Sequence, residues 1–190
     1  MIVEDYTKNY LMESQYILSE IETAALDRMI DVIAKVKENG GRIFFLGVGG
    51  SAANASHAVN DFRKIAGIEC YAPTDNVAEL TARTNDDGWD TVFDYWLKTN
   101  HLCGRDAIFI LSVGGGTDVT SSSIKHAIRY AKEIEISAIL AIIGKTNGYA
   151  AKEADEFVII PKVDVERVTP HTESMQSLLL HLIVTHPKLR

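Results

Sequence analysis

The sequence predicts an α/β protein built on a doubly wound parallel sheet, and three observations carry the prediction. Short apolar runs take turns with longer stretches of helical periodicity, which is how strands and helices follow one another in an α/β chain. The runs are apolar throughout instead of alternating, as strands covered on both faces require. Two of them end in glycine-rich loops that lead into a helix.

In chain order, residues 1–40 read as helical. Tyr10, Leu11, Ile17, Leu18, Ile21, Leu26, Ile30 and Ile33 recur at roughly helical spacing, and Gly40-Gly41 closes the stretch as one long helix or two. Residues 42–48 (RIFFLGV) form the first strand and 52–65 a helix. Residues 69–72 are a weaker strand. Helices follow at 76–84 and 91–100, with Asn85-Asp86-Asp87-Gly88 as the turn between them. Residues 107–113 (AIFILSV) are a strong strand. The helix at 119–133 comes next, with Ser121 to Ser123 read as a solvated face. The remaining segments are strand 136–143, helix 149–153, strand 157–160 and a last helix over 173–185.

A length of 190 residues suits one domain with one sizeable core, 1–190, in which 1–40 is a helical segment available for packing on a partner subunit. The net charge of −7 argues against nucleic acid or an anionic membrane as the main partner, since both need a basic footprint. Cys70 and Cys103 match neither a metal spacing nor a disulfide framework and read as thiols in a reducing compartment. Residues 1–10 are acidic and polar where a signal peptide needs an apolar run, and the apolar run 136–144 is too short to span a bilayer. A cytoplasmic protein is expected.

The chemistry concentrates at the two glycine loops and in two helices. Gly47-Val48-Gly49-Gly50-Ser51 and Ser112-Val113-Gly114-Gly115-Gly116-Thr117 each follow a strand. Glycine lets the backbone approach a ligand, free N–H groups at a helix start favour an anion, and Ser51, Ser112 and Thr117 add hydroxyls. In an open parallel sheet both loops lie at the carboxyl edge, where ligands bind. Neither fits the dinucleotide fingerprint or the P-loop, so the loops point to phosphate in some other setting, or else to tight turns that need glycine for steric reasons. His57 and Asp61 stand at i and i+4 and share a helix face. Glu173 and His181 are eight residues apart, a little over two turns. Two histidines and two carboxylates on two helices can bind a divalent metal such as zinc or supply an acid and a base. The plainer alternatives are an i,i+4 hydrogen bond for His57 and a core position for His181.

The segment LGVGGSAANASHAVNDF resembles the first ligand loop and following helix of sugar isomerase (SIS) domains, most of all those of the phosphoheptose isomerases. The similarity continues through Thr74-Asp75-Asn76, Asn85-Asp86, the Ser112 loop and TPHTESMQSLLLHLIVTHP, and so covers nearly the whole chain. It implies a three-layer fold with a five-stranded parallel sheet, and a homotetramer whose subunits complete one another's sites. The implied reaction is conversion of sedoheptulose 7-phosphate to a glycero-manno-heptose 7-phosphate through an enediol, supplying heptose for surface polysaccharide. Carried over by position, Gly49, Gly50, Ser51, Ser112, Val113, Gly114 and Thr117 hold the phosphosugar together with Asn85, Asp86 and Glu173. A zinc ion is held by His57, Asp61, Glu173 and His181, with Asp61 as base and His181 as acid.

The chain departs from that pattern at six positions. Asp61 stands for a glutamate, Glu173 for a glutamine and Val48 for an asparagine. Val113 and Gly114 replace a threonine and a serine, and His171 replaces an arginine. The two histidines favour an enzyme. The altered loops leave open a non-catalytic module, such as a sugar-phosphate sensor or a protein-assembly scaffold, and an isomerase for another sugar phosphate.

Overall fold

The computed structural model describes residues 5–190. Strands β1 (Ile43–Gly47), β2 (Cys70–Tyr71), β3 (Ala107–Ser112), β4 (Ala138–Ile143) and β5 (Glu156–Ile159) form one parallel sheet in the order β2-β1-β3-β4-β5. Each residue of β1, β3 and β4 is buried, which is why those runs show no polar alternation. Successive side chains still face opposite ways. Ile43 and Phe45 join one core with Phe109, Leu140 and Ile142, whereas Phe44 and Leu46 join a second with Ile108, Ile110 and Ala141.

Helices cover both faces. The first core is closed by α1 (Tyr6–Glu20), α2 (Thr23–Glu38), α3 (Gly50–Lys64) and α8 (Val168–Thr185). The second is closed by α5 (Val92–Thr99), α6 (Ser122–Glu133) and α7 (Tyr149–Glu153), with α4 (Val77–Asp87) against it through Leu80. In α2, Ala25, Met29, Ile33 and Val36 are buried at spacings of three and four, the stripe that sets a helix on a sheet. The five-stranded three-layer architecture expected from the sequence is therefore present. Among the described residues, no helix is long and apolar enough to cross a membrane.

One open alternative is resolved and three local expectations are corrected. The N-terminal stretch is two helices, because the chain turns extended at Ile21 (φ −65°, ψ 127°). Asn85 to Asp87 are not a turn but the last turn of α4, which stops at Gly88 (φ 85°). Ser121 (φ 52°) delays α6 to Ser122, and Ser122 and Ser123 are buried, not solvated. The last helix starts at Val168, earlier than expected, because Pro170 falls in its first turn, where a missing N–H costs nothing.

At the start of β3, the carboxylate of Asp106 is fully buried and accepts from the main-chain N–H, Nε and Nη2 of Arg42 at 3.0, 3.2 and 2.7 Å. Burial alone would raise its pKa, but the hydrogen bonds from Arg42 and Cys103 outweigh burial and hold it below the ordinary carboxylate value. This pair ties the loop before β1 to the loop before β3.

A second charged cluster attaches α1 to α8. Arg167 donates to Glu13 from Nε at 2.9 Å and from Nη2 at 2.7 Å, the His171 ring reaches the same carboxylate at 2.9 Å, and Tyr10 stacks on His171 with centroids 4.4 Å apart. The hydrogen bond from Arg167, then that from His171, lowers the Glu13 pKa from the ordinary 4.5 to about 2. A depressed carboxyl stabilises the fold above its unfolded pKa and stops doing so once protonated. The attachment is thus complete above pH 4.5 and is lost as pH falls towards about 2. Hydrogen-exchange protection of α1 is expected to fall across that window, and Glu13→Gln to remove most of the dependence. Unchanged protection down to pH 2 would sink the assignment.

Candidate functional site

The sheet order puts a switch point between β1 and β3, since the chain leaves β1 towards one edge and β3 towards the other. Ligands bind in such crevices at the carboxyl ends of the strands, and both glycine loops meet there. A cavity of about 270 Å³ is lined by Val48 and Ser51 of the first loop, Ser112, Val113 and Gly114 of the second, and Thr120 and Ser121 before α6. Lys145, Thr169 and Glu173 complete the wall. The Ser112 hydroxyl accepts from the Gly115 N–H at 3.0 Å and so shapes its own loop.

Side chains join α3 to α8 below this cavity. Ser51 Oγ donates to Gln176 Oε1 at 2.9 Å, and Gln176 Nε2 donates to the carbonyl of Ile142 at 3.2 Å. Asn54 Nδ2 donates to the Glu173 carbonyl at 2.9 Å and to Gln176 Oε1 at 3.3 Å. Since Ser51 pairs with Gln176 and His57 with His181, the two helices run in the same direction. The Glu173 carboxylate lies over the first turn of α3. A Cβ on Gly50 would come within 2.2 Å of Oε2, so only glycine admits the acid at that point. A negative group there is favoured by the partial positive charge of a helix N-terminus.

Two turns further along both helices, His57, Asp61 and His181 converge. Nε2 of His57 lies 3.0 Å from Nε2 of His181, and Asp61 Oδ2 lies 3.2 Å from the first and 3.3 Å from the second. The other carboxylate oxygen accepts from Asn60 Nδ2 at 3.0 Å. The i,i+4 contact between His57 and Asp61 is therefore present, but as part of a larger group. His181 is not a core residue, since 52% of its side chain is exposed.

Zinc at tetrahedral geometry, with bonds of about 2.0 Å, places its ligand atoms about 3.3 Å apart. Two imidazole nitrogens and one carboxylate oxygen already sit at 3.0–3.3 Å from one another, so the donor set fits that ion. Glu173 does not join the three. Its carboxylate is turned to Gly50 and the loop cavity, two turns of α8 away.

The other expected site residues divide. Ser51, Ser112, Val113, Gly114 and Glu173 line the cavity. Thr117 does not, because its hydroxyl is spent on the Val119 and Thr120 N–H groups. Thr120 and Ser121 take its place. Asn85 and Asp86 are exposed on α4, with Asn85 Nδ2 donating to Asp86 Oδ1 at 2.8 Å, and line no part of this cavity. Sequence reasoning missed Asn54 and Lys145. Both act across segments distant in the chain, and only the polarity of Asn54 on an otherwise small-residue helix face hinted at a partner.

Residues 9–144 match the model of the SIS domain family. The phosphoheptose isomerase of Aneurinibacillus thermoaerophilus is 29% identical over 194 aligned residues, covering 95% of this chain and 91% of that protein. That of Mycobacterium tuberculosis is 31% identical over 154, covering 77% and 72%. Among solved structures, a phosphoheptose isomerase from Neisseria gonorrhoeae superposes with a TM-score of 0.82 at 23% identity, covering 96% of both chains.

Proposed function

Since the chain belongs to the phosphoheptose isomerase branch of the SIS domain family and is a sugar-phosphate isomerase, we propose that it converts sedoheptulose 7-phosphate to D-glycero-D-manno-heptose 7-phosphate. The observation that carries this reading is the spacing of the two halves of the site. Ser51 and His57 are six residues apart on α3, about 9 Å along the axis, and Glu173 and His181 are eight apart on α8, about 12 Å. A seven-carbon chain with a carbonyl at one end and a phosphate at the other reaches roughly 10 Å when extended, from C–C bonds of about 1.5 Å. A phosphate at the loop cavity thus places C1 and C2 of the same molecule beside the His57–Asp61–His181 group.

In this reading Asp61 takes the proton from C1 of the ketose through one oxygen, while the other faces the histidine pair. The electron pair enters a C1–C2 double bond as O2 gains a proton, which gives the enediol. Return of a proton to C2, with loss of the O1 proton, leaves the aldehyde at C1. His57, Asp61 and His181 would hold a zinc ion, their donor atoms being of the kinds that zinc takes. When bound, zinc supplies polarisation of the sugar oxygens. Ser112, whose hydroxyl accepts from the Gly115 N–H and keeps its own proton to donate, holds the phosphate end.

The test is a product assay on the purified protein with sedoheptulose 7-phosphate, with and without zinc, watching for the aldose by NMR. Formation of the aldose is expected. No product, with ketose phosphate still bound, would overturn this substrate. In that event another sugar phosphate is favoured, because Val48 and Val113 put apolar groups on the cavity wall.

A cytoplasmic homotetramer belongs to the same reading. Leu11 and Tyr16 on α1 are 60% and 53% exposed, and Leu178 and Leu182 flank His181 in the open. Exposed apolar groups beside a polar site, as Leu178 and Leu182 are, mark surfaces that another chain covers. Asn85 and Asp86, exposed on α4, would then reach a neighbouring subunit's substrate. Light scattering is expected to give four chain masses, and a monomer at micromolar concentration would exclude it.

A further inference from the structure

Among the residues lining the loop cavity, Lys145 is the one cation and Glu173 the one anion. Lys145 follows β4 on the β4–α7 loop and enters no ion pair among the described residues. Its loop is fastened to the second glycine loop. The N–H of Gly144 donates to the Val113 carbonyl at 3.1 Å, and those of Tyr149 and Ala150 donate to the Gly116 and Gly115 carbonyls at 2.8 and 2.9 Å. A Cβ on Gly148 would stand 2.1 Å from the Gly114 carbonyl oxygen, so the two loops touch backbone to backbone. Lys145 is therefore carried by the same rigid edge that carries Ser112.

The charge balance of the cavity gives the lysine its task. A sugar phosphate brings close to two negative charges at neutral pH. The helix start that would ordinarily receive them already has the Glu173 carboxylate over it. Ser51 donates to Gln176, and neutral hydroxyls offset little charge. With Glu173 in the wall, a phosphate entering the cavity is repelled unless a cation faces it, and Lys145 is the cation available.

We propose that Lys145 binds the phosphate of the substrate and makes the site selective for phosphorylated sugars. This rests on the isomerase reading for the identity of the sugar, but not for the binding of phosphate. Lys145 also borders a neighbouring cavity of about 450 Å³, whose own lysine, Lys162, does not reach the loop cavity. Lys162 is thus a control for general surface charge.

The experiment measures the dissociation constant of inorganic phosphate by calorimetry, and kcat and KM for sedoheptulose 7-phosphate, in the full chain and in Lys145→Ala, Lys145→Arg and Lys162→Ala. Lys145→Ala is expected to weaken phosphate binding and raise KM about tenfold, the low end for losing a charged hydrogen bond because the side chain is exposed. The kcat should stay within about twofold, since the reacting carbons lie at the other end of the site. Lys145→Arg restores most of the loss and Lys162→Ala changes neither constant. Glu173→Gln tightens phosphate binding by removing the opposing charge. Equal constants for wild type and Lys145→Ala would overturn the proposal, as would a wild type that binds neither phosphate nor ketose phosphate. If the wild type binds phosphate but turns over no sedoheptulose 7-phosphate, the isomerase reading fails, and Lys145 is judged on the phosphate constant alone.

Discussion

Asp61→Asn is expected to lower turnover of the ketose phosphate about a thousandfold, within the range for losing a positioned general base. The amide keeps nearly the same shape, so the packing of α3 on α8 through Ser51, Asn54 and Gln176 should survive. What it removes is the charge beside two imidazole nitrogens that lie within 3.3 Å of one oxygen, and the base to which the proposed mechanism gives the C1 proton. Saturating zinc should not restore turnover, because a refilled metal site still lacks the base. Asp61→Glu makes the complementary test. It puts back the longer carboxylate that the resemblance places here, and a shorter reach to substrate should limit the present residue. Turnover equal to or above wild type is expected for this variant. Wild-type turnover in Asp61→Asn would remove Asp61 from the chemistry altogether.

How much of this was legible in the sequence depends on whether the signal is local. The strands were, because β1, β3 and β4 are buried on both faces and their composition shows it without alternation. The glycine loops were, because glycine after a strand and before a helix is a local pattern. His57 and Asp61 were readable as neighbours because one helix holds both. The pairing of that helix with α8 was implied by the resemblance and not by spacing, since eight residues on one helix say nothing about which other helix lies beside it. Lys145 was not legible at all. It is an ordinary lysine after a strand until Gly148 packs on Gly114 and brings its loop to the cavity. Thr117 misled for a related reason. A hydroxyl at the end of a glycine loop suggests a phosphate donor, but this one closes its own turn onto Val119 and Thr120. Glu173 is the same lesson in three dimensions. Sequence position sets it on the helix that bears His181, and the missing side chain of Gly50 leaves room for its carboxylate at the cavity end.

His181→Ala is the second change with a large expected effect, a fall of about a hundredfold or more in turnover, and its value lies in separating two roles that one nitrogen cannot fill together. As an acid, His181 would hold a proton on Nε2 and present it to the sugar. As a ligand, it would offer the Nε2 lone pair to a cation. In the structure Nε2 is the atom that faces His57 Nε2 at 3.0 Å and Asp61 Oδ2 at 3.3 Å, and a nitrogen aimed at another imidazole nitrogen and a shared carboxylate oxygen is placed for a cation between them. The ligand role therefore predicts that His181→Ala loses bound zinc and turnover in parallel, and that excess zinc recovers part of the activity, because His57 and Asp61 remain as two of the three ligands. The acid role predicts retained zinc, no recovery, and loss of the alkaline limb of the pH–rate profile. Metal content by mass spectrometry beside turnover at rising zinc decides between them. If zinc stays bound and activity does not return, the proton to O2 comes from His181, and the metal is held without it.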